Sequence, residues 1–190
     1  NAIVLPFVDF FKRNGWIGLL VLVFIGSYWL SDRIWGVMAQ PFYFDMGYTK
    51  FEVAEVSKIF GLIVTIVGAL LGGVLVVKVG VMRMLVFSAT LAAATNLLFA
   101  GLTIYVGEYG KSVLLLYGAI GLENLFGGMA GTVLIAYLSG LTNVAYTGTQ
   151  YALFTSFMVL PGKFLAAGSG WVVETSGYVT FFLYTAAAGI

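Results

Sequence analysis

Cysteine and histidine are both missing from this chain of 190 residues. Without cysteine there is no disulfide and no thiolate nucleophile. Without histidine there is no His-dependent catalytic triad, and zinc and haem lose their usual protein ligands. Charge is scarce too, at 9% of residues, where soluble domains carry about a quarter. That is too few charged side chains to coat a globule of this size. The formal net charge of +1 supplies no basic face, which removes nucleic acid as a partner.

Apolar residues are what the chain has in excess, 61% of the total, with a mean hydropathy of +1.04. The surplus apolar surface faces lipid. A membrane-crossing helix needs about 20 mostly apolar residues. Candidate runs cover 16–44, 54–77, 83–106, 112–139, 149–172 and 177–190. The first is long and carries Pro41, where a kink or tilt is expected. The last stops at Ile190 with no polar cap and reads as cut off mid-span.

The connections are short and use turn chemistry, as at 45–50, 78–83, 107–111, 140–148 and 174–177. They predict an all-α membrane protein, an up-down bundle of six transmembrane helices with no room for a soluble domain. Residues 1–15 stand before the bundle. They open on Asn1, carry Asp9, Lys12 and Arg13, and show no signal-peptide pattern, as an internal portion of a longer protein would. Placing the N-terminus in the cytoplasm puts Lys12, Arg13, Lys78 and Arg83 inside. Lys50, Lys58 and Lys111 then fall outside, and this small excess of inner cations favours that orientation.

Small residues recur at four-residue spacing: Gly68 with Gly72, Gly127 with Gly131, and Gly162 with Ala166 and Gly170. In lipid such spacing lets helix backbones approach closely, so these faces are expected to pack.

Ionisable groups in hydrocarbon are costly and need a partner or a watered cavity. Asp32 and Arg33 in the first run, Glu123 in the fourth and Lys163 in the fifth all fall near mid-span. Mutual ion pairing would tie helices together, with Arg33 and Lys163 as the structural cations. Membrane carboxylates, however, more often mark ion or substrate paths, which favours a functional role. Tyr28, Asp32, Trp35 and Ala39 share one helix face by spacing, a carboxylate between rings suited to sugar or peptide groups. Glu123 precedes Asn124 and a glycine-rich face, a polar pair placed to reach a cavity. Lys163 follows Pro161 and Gly162, where a helix loosens. Two roles stay open to it: partner of Glu123 or Asp32, or ligand for an anionic substrate group.

The stretch SDRIWGVMAQPFYFDMGYTKFEVAEVSKIFG from Ser31 to Gly61 resembles the seventh helix and following loop of AmpG-type muropeptide permeases of the major facilitator superfamily. GLTNVAYTGTQYALF (140–154) and LPGKF (160–164) resemble later segments of the same family. The resemblance covers nearly the whole chain. It implies the C-terminal six-helix half of a transporter, with residues 1–15 as the cytoplasmic connection between halves and 16–190 as the bundle, its last helix truncated. It further implies proton-coupled import of anhydro-muropeptides across the bacterial inner membrane, feeding peptidoglycan recycling and β-lactamase induction. The partners would be the muropeptide, the proton, the bilayer and the N-terminal half. In that scheme Asp32 or Glu123 carries the proton, Tyr28, Trp35, Gln40, Asn124 and Lys163 contact substrate, and no cofactor, metal or catalytic residue is needed. The loop motif that usually follows the second helix of each half is degraded: Gly73, Lys78, Gly80 and Arg83 remain, with Val77 in place of its aspartate.

Two other classes compete. One is a sugar or drug permease of the same superfamily. The other is a membrane-embedded enzyme, for which a Ser156–Lys163 dyad is the only hint, and seven residues on one helix hold those groups about 10 Å apart. A purely structural subunit would leave the mid-span charges without purpose.

Overall fold

The computed structural model describes residues 4–189, and all of their regular structure is helical. Asn1–Ile3 and Ile190, at the outer limits of the expected connection and last run, lie outside the described residues. Helix α1 spans Val4–Asn14, α2 Ile17–Tyr28 and α3 Leu30–Asp45. A short α4 (Lys50–Ala54) continues through a π-helical turn (Glu55–Phe60) into α5 (Gly61–Val79). Then follow α6 (Val81–Ala94), α7 (Asn96–Tyr109), the unbroken α8 (Val113–Leu141), α9 (Thr147–Ala166) and α10 (Ser169–Ala188).

Four stretches are long and apolar enough to cross a bilayer: Ile17–Asp45, Lys50–Val79, Val81–Tyr109 and Val113–Leu141. A fifth candidate is the pair α9 and α10, bent by 71°. The sixth expected run falls within α10 of that bent pair and is not a separate span candidate. Gly177, at φ 77° and ψ 169°, breaks α10 internally. Beyond it the chain doubles back along α3: Tyr178 donates a 2.6 Å hydrogen bond to Asp45 Oδ2 at the far end of α3. At the other end of this segment, a Cβ on Gly189 would meet Ser31 Cβ at 2.8 Å, near the start of α3.

Packing inverts the pattern of a soluble protein. The buried residues of α5 are Gly61, Gly68 and Gly72, while Leu62, Ile66 and Leu70 point outward. A Cβ at Gly68 would run into the Leu125 carbonyl, and one at Gly128 into the Thr65 carbonyl, so α5 and α8 touch backbone to backbone. The sequence expectation was right for Gly68 and Gly72 and wrong for Gly127, which faces open space; Gly131 makes only an ordinary contact with Trp29. Gly128 is the contact residue of α8. On α9, Gly162 lies under the Arg33 stem and Ala166 is buried, whereas Gly170, beyond the break on α10, has free space around it.

Two apolar clusters divide the bundle along its length. One gathers Trp35, Phe42, Phe99, Ile120 and Phe182. The other gathers Phe10, Ile25, Leu85, Val133 and Phe154. Between them, three of the helical paths break: at Trp29 between α2 and α3, at Thr95 between α6 and α7, and at 167–168 between α9 and α10. The kink expected near Pro41 is therefore displaced, since α3 runs through Pro41 to Asp45. Non-helical backbone at membrane depth persists where protein or a watered cavity surrounds it.

Candidate functional site

The helix breaks coincide with a layer of polar side chains between the two apolar clusters. Asn96 donates a 2.6 Å hydrogen bond to Ser31 Oγ, and both residues are buried. Tyr28 shares a 3.1 Å hydrogen bond with Ser88 Oγ and also reaches the Ala130 carbonyl at 3.3 Å. Thr65 Oγ1 donates to Asn124 Oδ1 at 2.7 Å, and Asn124 Nδ2 donates to the Ile120 carbonyl at 2.9 Å. Trp35 Nε1 donates to Glu123 Oε1 at 3.1 Å. Each neutral group in the layer satisfies its hydrogen-bonding capacity on a neighbouring helix or turn, as low dielectric demands.

Asp32 and Arg33 are different. Both are half-buried, and neither makes a hydrogen bond or an ion pair among the described residues. Together they line two cavities. One, of about 380 Å³, also has Trp29, Gly131, Leu134, Tyr151 and Met158 in its wall. The other, of about 450 Å³, lies between α3 and α9 against Gly36, Val37, Lys163 and Ala166. Lys163 is exposed on α9 and has no carboxylate of the described residues within ion-pair distance. The ion pairing expected for Arg33 and Lys163 is thus not formed. Adjacent positions diverge by about 100° around a helix, which keeps Arg33 from closing on Asp32.

The shared face expected for Tyr28, Asp32, Trp35 and Ala39 is interrupted, because the break at Trp29 rotates α2 away from α3. Trp35 is 2% exposed and packs among Phe42, Tyr43, Phe99 and Phe182. Its ring lies inside the chain's own core rather than on a cavity wall. Asn124 is committed to the α5–α8 contact. Gln40 stays exposed on the face of α3 that also carries Gly36 and Val37. Sequence reasoning missed Ser31, Thr65, Ser88 and Asn96. The signal was present, as these are uncharged polar residues deep in apolar runs, but the charges drew the attention.

Helix α1 docks by a separate polar cluster at one end of the bundle. Arg13 Nε donates to Asp9 Oδ2 at 3.0 Å, and Gln150, fully buried, donates to Asp9 Oδ2 at 3.0 Å and to the Pro6 carbonyl at 3.0 Å. Asn143 closes the cluster through its own donation to Asp9 Oδ1 at 3.2 Å. Burial works to raise the Asp9 pKa, but hydrogen bonds from Gln150 and Asn143 and the Arg13 cation outweigh it and hold it below the usual carboxylate value.

No protein-family model matches the chain. Individual proteins do. The chain is 35% identical over 184 residues to the transporter AmpG 4 of Rickettsia felis, an alignment covering 97% of the chain and 43% of that protein. The transporter AmpG 1 of Rickettsia bellii is 35% identical over 167 residues, covering 88% of the chain and 40% of that protein. The anhydromuropeptide permease of Escherichia coli K12 is 34% identical over 191 residues, covering 100% of the chain and 38% of that protein. The chain therefore spans about two-fifths of the length of the curated relatives it matches. Those relatives are named as transporters and a permease, not as enzymes. With four spans and a bent fifth candidate beside permease homologues, the protein is multi-pass and of the inner-membrane type in bacteria. By sequence, this chain is a relative of the AmpG-type permeases along nearly its whole length, matching about two-fifths of each of them.

Proposed function

We propose that this chain is the C-terminal half of a proton-coupled importer of anhydro-muropeptides. The substrate class comes from the relative named as an anhydromuropeptide permease, whose sequence parallels this chain throughout. The observation that carries the coupling is Asp32: an unpaired carboxylate at mid-membrane, opening on two cavities. A carboxylate there is costly to keep charged, so a ligand or a proton must meet it. Glu123, held by Trp35, stands across the same layer as the second acid.

In this reading the half works against an N-terminal half as in other transporters of the major facilitator superfamily. The two bundles rock about a site near the bilayer midplane and expose it to each side in turn. Asp32 takes a proton while the site faces outward. Neutralising it lowers the cost of closing the site, and reopening to the more alkaline interior releases the proton with the substrate. Residues 1–15 are the cytoplasmic connection to the other half, anchored through Asp9 and Arg13.

Reconstituted into proteoliposomes as the full-length permease, Asp32→Asn fixes the acid in a neutral form. It is expected to bind muropeptide and to exchange it across the membrane, yet fail to accumulate it under an imposed pH gradient. Accumulation at the parental level by Asp32→Asn would remove Asp32 as the coupling acid and pass the role to Glu123.

A further inference from the structure

Lys163 and Arg33 are cations that form no ion pair among the described residues, and with Asp32 they face one cavity. Gly162 explains how they come together. A Cβ at Gly162 would stand 2.6 Å from Arg33 Cβ and 2.8 Å from Cγ, so the arginine stem crosses α9 at the residue beside Lys163. The bare glycine lets the guanidinium lie along α9 instead of being pushed away. Both side chains then line the cavity of about 450 Å³ whose remaining wall is Asp32, Gly36, Val37, Ala166 and Ala167.

Lys163 lies near the middle of the bent α9–α10 span candidate. It lies 13 residues after Gln150, which sits in the α1 cluster, about 20 Å along α9, and four residues before the 71° bend into α10. The distance back to Gln150 is farther than a lysine stem extends when it snorkels. An unpaired ammonium and guanidinium held there need water and an anion.

We propose that Arg33 and Lys163 form a two-cation site for carboxylate groups of a ligand held between α3 and α9. Arg33 offers a planar fork that can take a carboxylate by two parallel hydrogen bonds; Lys163 adds a mobile point charge. A second carboxylate of the ligand, or the two oxygens of one, occupies the pair. Asp32 on the same wall orders the site, because an arriving carboxylate is repelled by Asp32 in its charged form and accepted in its neutral form. The identity of the ligand as a peptide-bearing muropeptide rests on the permease reading above, but the anion site does not.

The test separates the two. The chain has no cysteine, and a side chain at Gly36 meets nothing within 4 Å, so Gly36→Cys places a thiol in this cavity without distortion. In the full-length permease, with other cysteines removed, the thiol is expected to react faster with a sulfonate-bearing methanethiosulfonate than with a trimethylammonium one. A preference of roughly tenfold is the size a focused local potential produces. Lys163→Gln and Arg33→Gln should each reduce that preference, and the pair should abolish it. Lys163 is exposed, so its variant folds even where the Arg33 variant does not. Equal rates with both reagents in the parent, or a preference that survives Lys163→Gln unchanged, would overturn the site. Binding of anhydro-muropeptide and of its carboxyl-amidated form gives the second arm. The acid form should bind at least about tenfold more tightly than the amide in the parent, a gap of about 1.4 kcal/mol, and equally in the double variant. An acid–amide gap that persists in the double variant overturns the site as well. If muropeptide binds in neither form while the labelling preference stands, the substrate reading fails and the anion site survives.

Discussion

Trp35 on α3 hydrogen-bonds Glu123 on α8 at 3.1 Å, and this contact bridges the polar layer beside the aromatic cluster. Among the described residues, the indole N–H is the only hydrogen-bond donor to that carboxyl. Glu123→Gln keeps an oxygen to accept the indole N–H. Its thermal midpoint in detergent should stay close to that of the parent. Glu123→Leu leaves the N–H unpaired in low dielectric and is expected to cost about 1–3 kcal/mol. Equal midpoints for the two variants would mean that the bond holds nothing.

The glycine contacts between α5 and α8 make a second comparison. Gly68→Ala and Gly128→Ala force backbone against backbone, and each should destabilise the folded permease by about 1–3 kcal/mol, or prevent its accumulation in the membrane. Gly127→Ala, one residue from Gly128 and facing open space, should be close to neutral. Sensitivity at Gly127 equal to that at Gly128 would contradict the packing described.

Topology can be read by labelling engineered thiols in intact cells. The turn at 46–49 lies with 110–112 at one end of the bundle, through Lys111–Glu52 and the Tyr48 hydrogen bond to the Ser112 carbonyl. Thr49→Cys and Glu108→Cys should therefore react with an impermeant reagent from outside, and Lys78→Cys only after the cells are opened. Lys78 is preferable to Gly80, whose φ of 95° a side chain would strain. Reversed accessibility would invert the orientation.

Asp9 gives a pH dependence with a definite sign. Its pKa is lowered in the folded state, so the ion contributes stability that is present above the ordinary carboxylate range and lost as pH falls through the lowered value. Backbone amide protection in α1 should accordingly hold at neutral pH and weaken on strong acidification. Asp9→Asn should lose this pH response, with α1 loosened at neutral pH already. Unchanged protection in acid would show that α1 docks through Phe10 and Pro6 alone.

The sequence was enough for the solvent, the helices and the positions of charge within the apolar runs. Apolar run length is a local property, and a bilayer imposes it on each segment separately, so the first four runs correspond to span candidates within a few residues, while the fifth and sixth both fall in the bent pair α9 and α10. Which glycine faces a neighbour is not local. Gly127 and Gly128 differ by about 100° around α8, and only the position of α5 decides that Gly128 makes the contact. The break at Trp29 was equally hidden, since no proline or glycine marks it, and it separates Tyr28 from the face it shares with Asp32 on paper. Pairing is a question of distance between helices far apart in sequence. For that reason four charges that looked balanced along the chain resolve, once folded, into a Glu123 held by Trp35 and an Asp32, Arg33 and Lys163 left open to the cavities.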